Sequence, residues 1–210
     1  MIPGMTSQPG YDALAGAYDD AFPQGYASVL ERHAVAAFVA EAAAGPDGTI
    51  VDVGCGTGHV TSDLVAAGLD VVGVDPSAGM LAIARHSHPH VRFVEGDATL
   101  ATLADDGPLA GVLARFSLIH VHPDDVRAVV DAWVRRLRPG SRVVVAFQCA
   151  DDASGPVAEF DHRVARAWRW HPDAMVDLLT AAGLTERWRL VAQPDGERRF
   201  AECHVSLELA

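Results

Sequence analysis

The chain contains no lysine, so all 16 of its ordinary cationic side chains are arginine, against 28 carboxylates and a net charge of −12. That balance opposes a broad nucleic-acid footprint, which needs clustered positive charge, though it leaves room for a local basic pocket. Cysteine is scarce: the 3 present, Cys55, Cys149 and Cys203, are odd in number and widely spaced. They read as free thiols of a reducing cytoplasm and exclude a disulfide framework. No apolar run approaches the ~18 residues of a membrane-spanning helix. The first residues, Met1-Ile-Pro-Gly-Met5, lack the basic and apolar regions of a signal peptide. What remains is 210 residues, 50% hydrophobic, enough for one domain with a sizeable core.

The most informative stretch is Thr49-Ile-Val-Asp-Val-Gly-Cys-Gly-Thr-Gly-His-Val-Thr61. Ile50, Val51 and Val53 read as a buried strand interrupted only by Asp52. Gly54, Gly56 and Gly58 follow at alternate positions, and Val60, Leu64 and Val65 then have helical spacing. Strand, glycine loop and helix start form a nucleotide-binding turn, since glycine permits close backbone approach and a helix start offers free N–H groups. A dinucleotide fingerprint requires G-x-G-x-x-G; here the spacing is D-x-G-x-G-x-G, with His59 in place of the third glycine. A second strand, Val71-Val-Gly-Val-Asp75, ends in an acid able to accept from both ribose hydroxyls, as a dinucleotide site would also have. A third, Val91 to Glu95, leads into Gly96-Asp97-Ala98.

These three motifs in order resemble those of the class I S-adenosylmethionine-dependent methyltransferases of the small, single-domain kind. The resemblance covers residues 45–210, and a Y-D-x-x-A-x-x-Y-D-x-x-F pattern from Tyr11 to Phe22 extends it toward the N-terminus. It implies an α/β, Rossmann-like three-layer sandwich whose seven-stranded, mostly parallel sheet has an antiparallel last strand. It implies S-adenosylmethionine as cofactor, leaving as S-adenosylhomocysteine. Asp97 would accept from the adenine amino group while Ala98 donates from its backbone. Asp52, Cys55, Pro76, Met80, Arg115 and Tyr18 would complete the cofactor site beside Gly54, Gly56, Gly58 and Asp75. Residues 1–44 would be a lid and first helix, 45–210 the core, and 151–171 a substrate-side insertion.

Residues 1–25, dense in proline and glycine, predict irregular chain around a helical turn. For Tyr11 and Tyr18 two roles stay open: lid residues reaching cofactor or substrate, or aromatics packed on the core. Residues 26–44 read as a helix, and 77–85 as another capped by Ser77. His86, His88 and His90 read as a solvated loop and not a metal site. A fourth strand runs over 109–116, and Gly111 stands where the resembling family usually has an acid. Arg115, Phe116, His120 and His122 follow at that strand's end. Val126, Val129, Val130, Trp133, Val134 and Leu137 make one apolar stripe of a helix opened by Pro123 and stopped at Pro139-Gly140; Trp133 is therefore core. A fifth strand spans 142–147.

Between 160 and 171, His162, Arg163, Arg166 and Arg169 give unusual basic density, and a helix would put Arg163 and Arg166 on one side. They form either a pocket for an anionic substrate or a solvated face paired with local acids. A last helix over 172–182 precedes two strands joined through Pro194-Asp-Gly196, the second alternating Cys203, Val205, Leu207 and Leu209 against His204, Ser206 and Glu208. The candidate proton acceptors for methyl transfer are His120, then His122 and His162. Cys55 and Cys149 lack a partnered base and are not read as nucleophiles.

The functional expectation is methyl transfer to oxygen, nitrogen, sulfur or carbon of a small acceptor, anionic if the arginine cluster is its pocket, by a monomer or homodimer with no metal, nucleic-acid or membrane partner. The alternatives are a nicotinamide-dependent (NAD) oxidoreductase and a cofactor-binding relative without turnover. Lysine-free, alanine- and arginine-rich composition suggests a GC-rich bacterial source, where such enzymes often serve secondary metabolism.

Overall fold

A computed structural model describes residues 9–195 and 198–210. The signal-peptide question at Met1–Met5 and Gly196 of the expected turn lie outside the described residues. Seven strands form one sheet in the order β3-β2-β1-β4-β5-β9-β8: β1 (Thr49–Val53), β2 (Val71–Asp75), β3 (Arg92–Glu95), β4 (Leu109–Arg115), β5 (Leu137–Gln148), β8 (Leu184–Ala192) and β9 (Glu202–Leu209). The first five are mutually parallel, and β9 runs antiparallel to both β5 and β8. This is the Rossmann-like arrangement the motifs implied.

Six helices accompany the sheet: α1 (Pro9–Ala21), α2 (Val29–Ala43), α3 (His59–Ala66), α4 (Ala78–Ser87), α5 (Pro123–Val134) and α6 (Pro172–Ala181). Because successive strand side chains point to opposite faces, β1 divides its residues between two cores. Ile50 packs with Phe38 of α2 and Leu64 of α3, alongside Val71, Leu113 and Val144. Val51 and Val53 pack with Trp133 of α5 and Leu179 of α6 on the other side. Both faces are covered, as parallel sheets require. The chain runs outward from β1 to β3 and returns to β4 on β1's other side. The crevice beyond the strand ends at such a reversal is where ligands bind in this architecture. Among the described residues, no helix is long and apolar enough to cross a membrane.

Four expectations need correction. The irregular N-terminal segment is a 13-residue helix, α1. Gly10 is a site of close approach there, since a Cβ would come 2.1 Å from the Val164 carbonyl oxygen. Helix α5 stops at Val134, short of Pro139-Gly140, and β5 already begins at Leu137, ahead of the expected 142, so Leu137 belongs to the strand and not to the helix's apolar stripe. Arg136 pulls the chain away: its guanidinium donates to the carbonyls of Leu100, Leu103 and Gly107, and its own carbonyl accepts from Leu109 N–H. Residues 160–171 hold no helix. Strands β6 (Val157–Phe160) and β7 (Ala167–Trp170) form an antiparallel hairpin instead. In β9, finally, the alternation does not mark a wet face: His204 is 1% and Ser206 0% exposed. Helix α2 covers that side, and Ser206 donates to Glu41 at 2.8 Å.

Trp133 is core, and it also has a polar duty: its indole N–H donates to the Ala98 carbonyl at 2.7 Å. Trp133→Phe keeps most of the buried area but strands that carbonyl. The expected loss is about 1–3 kcal/mol, read as a thermal midpoint lower by roughly 2–4 °C per kcal/mol; an unchanged midpoint would contradict it.

Candidate active site

The glycine loop turns between β1 and α3 with all three glycines at positive φ, and each has its own reason. A Cβ on Gly54 would lie 2.5 Å from Ser117 Cβ, and one on Gly58 2.5 Å from the Phe93 ring. Gly56, at φ +56°, faces open space, with nothing within 4 Å of where a Cβ would stand. Two glycines thus seat the loop and one leaves its outer side free. Asp75, at the end of β2, accepts from Gly56 N–H at 2.9 Å and from Ser77 N–H at 2.8 Å. Behind the loop, buried Asp52 accepts from Thr61 at 2.6 Å. Burial pushes both carboxyls up to about 6, against the hydrogen bonds that favour their charged forms. The Cys55 thiol, desolvated beside both acids, is held well above its ordinary value and is no nucleophile.

Helix α1 lies across this edge. Asp12 accepts from Ser77 Oγ at 2.6 Å and Gly79 N–H at 2.8 Å, which lowers its pKa. Asp19 contacts His59 at 2.9 Å. Tyr11 Oη meets His120 Nε2 at 3.0 Å, and His120 Nδ1 meets the Arg166 carbonyl at 2.9 Å. A carbonyl only accepts, so Nδ1 carries the proton and Nε2 accepts from the tyrosine. Burial lowers His120 to about 4, with His162 adding to the shift, so the imidazole is neutral at pH 7. The His162 ring lies 4.9 Å away, its Nδ1 accepting from Val164 and Ala165 N–H. Tyr18 stacks edge-on to Tyr11 at 6.2 Å, and burial raises the pKa of both hydroxyls.

The remaining predicted residues divide. Asp97 follows β3 at the same edge and accepts from Thr99, while buried Ala98 is anchored through Trp133. Pro76 and buried Met80 flank Ser77, whose Oγ accepts from Met80 N–H. Phe116 sits just past β4 at φ +52°, a left-handed position for a bulky residue. Arg115 pairs with buried Glu31 and donates to the Gly25 carbonyl at 3.1 Å.

His122 does not join His120. It caps α5, its Nδ1 accepting from Asp124 N–H, and His171 caps α6 through Asp173 in the same way. The repeated His-Pro-Asp sequence was a legible signal for both caps. The basic cluster does not converge either. Arg163 is exposed, Arg166 is exposed and forked onto Glu159, and Arg169 bonds the Cys149 carbonyl and lies over Phe200. A hairpin with its turn at these residues spreads them where a helix would have aligned Arg163 and Arg166. His86 and His90 are exposed, and His88 packs on His59. Sequence reasoning missed Glu31, Glu202 and His204, all buried at this end of the sheet. A glutamate in a helix's first turn and alternate residues of an edge hairpin read as surface, so no local signal marked them.

With this geometry in place, comparison with known proteins is informative. The methyltransferase domain family matches residues 50–140. A demethylmenaquinone methyltransferase of Beutenbergia cavernae is 40% identical over 101 residues, 48% of this chain and 41% of its own. A malonyl-[acyl-carrier protein] O-methyltransferase of Pectobacterium atrosepticum is 36% identical over 57% of this chain and 43% of its own. The chain therefore spans less than half the length of these curated relatives. In fold it is similar to the 1,6-didemethyltoxoflavin-N1-methyltransferase of Burkholderia thailandensis, solved with its substrate and S-adenosylhomocysteine, with TM-score 0.66 and 20% identity over 98% of this chain and 91% of that one. Through residues 50–140, this chain is similar to the methyltransferase domain family.

Proposed function

We propose that the protein transfers a methyl group from S-adenosylmethionine to a small-molecule acceptor. One observation carries this reading: Gly54–Gly58, Asp75 and Asp97-Ala98 stand together at the carboxyl ends of three adjacent strands. The residues fit the cofactor. Gly56 leaves a free cradle, Asp75 suits the ribose hydroxyls, Asp97 and the Ala98 backbone suit the adenine edge, and the two buried acids favour a cation nearby. When bound, S-adenosylmethionine supplies a methyl already activated on a sulfonium, so the protein needs no nucleophile of its own. Its task is to hold the acceptor in line and exclude water.

His120 is suited to receive a proton, because it is neutral and its Nε2 is an acceptor, now taken up by the Tyr11 hydroxyl. An acceptor hydroxyl or N–H replacing the tyrosine would meet the same lone pair, a gain of about 10²–10⁴-fold for such a base. His162 stands behind it. The acceptors named for the relatives range from a quinone precursor to a protein-borne malonyl group and a heterocycle, so kinship alone does not select the acceptor atom. We place the enzyme in the cytoplasm, where its free cysteines would stay reduced.

Calorimetric titration tests the cofactor. S-adenosylhomocysteine and S-adenosylmethionine should bind and NAD should not. Asp75→Ala and Asp97→Ala should each weaken adenosyl binding by about tenfold or more, the effect of losing charged hydrogen bonds. Binding of NAD alone would overturn the assignment.

The buried acids also predict a pH dependence. Asp52 rises from 3.8 to about 6 on folding, so the folded state holds the proton more tightly. Its contribution to stability is full below pH ~4 and is lost as pH rises through ~6. Asp52→Asn, which keeps an oxygen for Thr61, should exceed wild type in stability at pH 8 by on the order of 1–3 kcal/mol, and not at pH 4. Urea melts at both pH values measure this; a variant weaker than wild type at pH 8 contradicts it.

A further inference from the structure

At the carboxyl ends of β4 and β5 and the start of β9, on the face covered by α2, five polar side chains stand together. Paired residues on adjacent strands share a face. Arg115, Ala146 and His204 therefore stand in one row, with Gln148 and Glu202 in the next row toward the edge. Glu31, in the first turn of α2, closes the place through its ion pair with Arg115. The Phe116 ring meets His204 edge-on at 5.9 Å. Glu31 is 2%, His204 1% and Glu202 9% exposed.

Every one of these side chains keeps a buried atom without a hydrogen-bond partner: Glu31 Oε1, Arg115 Nε, Gln148 Oε1, Glu202 Oε2 and His204 Nδ1. Each such atom costs about 1–3 kcal/mol. Well-folded chains satisfy nearly all their buried polar groups, so several orphans in one place point to a ligand. Ser117, two residues beyond Arg115, packs on Gly54 of the glycine loop and itself has an unpartnered Oγ. The cluster thus adjoins the proposed cofactor crevice without being part of it.

The donor–acceptor balance identifies what fits. Three of the five free atoms are carboxylate or amide oxygens, which accept; His204 Nδ1 can do either, and only Arg115 Nε must donate. Around Glu202 the carboxylates of Glu31 and Asp195 stand against the guanidiniums of Arg115 and Arg198, the latter also with an unpartnered Nε, so there is no surplus of positive charge to draw an anion. Burial and the Glu31 charge push Glu202 up to about 7, a strain that a cation or N–H donor would relieve. Of the β6–β7 hairpin's arginines, Arg166 is forked onto Glu159, and Arg169 gives one N–H to the Cys149 carbonyl while its Nε stays unpartnered.

We propose that this cluster is the acceptor subsite and that it takes a nitrogen compound presenting hydrogen-bond donors, an amine or N–H heterocycle, held by Glu31, Gln148, Glu202 and His204. The assignment as acceptor subsite rests on the methyltransferase reading above.

Benzylamine and benzoate, alike in shape and opposite in charge, serve as probes on protein saturated with S-adenosylhomocysteine, followed by NMR titration. Benzylamine is expected to bind at least about tenfold more tightly than benzoate. Glu202→Gln and His204→Gln, near-isosteric and checked for fold by their thermal midpoints, should each weaken benzylamine severalfold while leaving S-adenosylhomocysteine affinity in place. Equal or tighter benzoate binding, or benzylamine affinity unchanged in both variants, overturns the subsite. Should wild type fail to bind S-adenosylhomocysteine at all, the methyltransferase reading falls, and the subsite's role as acceptor site with it; cofactor binding without amine preference sinks the subsite alone.

Discussion

The Asp75 carboxylate ties together four separate parts of the chain. One oxygen holds the glycine loop through Gly56 N–H and the other holds Ser77 N–H at the start of α4. Ser77 Oγ accepts from Met80 N–H, capping that helix, and donates to Asp12 of α1. The loop after β1, the end of β2, the start of α4 and the covering helix are thus one hydrogen-bonded chain. Its cost is a buried anion whose pKa burial raises to about 6, with a second acid, Asp52, behind it. Apolar isosteres would relieve that penalty, so retaining two such acids makes physical sense where a ligand brings hydroxyl donors and positive charge.

This explains why the proposed cofactor side of the site left marks in the sequence. Gly54, Gly56, Gly58, Asp75 and Asp97 act through backbone geometry and strand ends, and both leave marks at fixed spacing. The seven-stranded, mostly parallel sheet was what the resemblance implied, and the alternating strand and helix signals with a terminal hairpin agreed with it. Trp133 was identified as core by the helical stripe alone. Its bond to the Ala98 carbonyl, linking that core to the loop after β3, was not legible, because nothing in a helical pattern says where an indole N–H points.

The misses share one cause: long-range polar contacts override local pattern. In β9 the alternation of His204 and Ser206 with apolar neighbours had the form of a half-wet strand, yet α2 covers the polar side and supplies Glu41 as partner. Proline and glycine in the first 25 residues argued against a helix, yet α1 is held by Asp12, Asp19 and Tyr11 reaching Ser77, His59 and His120. His122 was a credible base by position alone, until the His-Pro-Asp cap, repeated at His171, gave it a structural task.

The arginines show how composition misleads about a site. With lysine absent, every fixed cation has a planar fork suited to bidentate and carbonyl-clamping contacts. The chain spends many of them that way: Arg136 on three carbonyls, Arg189 on Glu186 and Asp173, Arg92 on Asp106. Basic density between residues 163 and 169 therefore marks a clamped hairpin, with Arg166 on Glu159 and Arg169 on a backbone carbonyl. Arg115 differs, because it stands in the buried row beside His204, paired with Glu31 and with its Nε unpartnered. In an acidic chain whose arginines are mostly structural, unsatisfied carboxylates are the more telling guide to what the site admits, and they favour a ligand that donates.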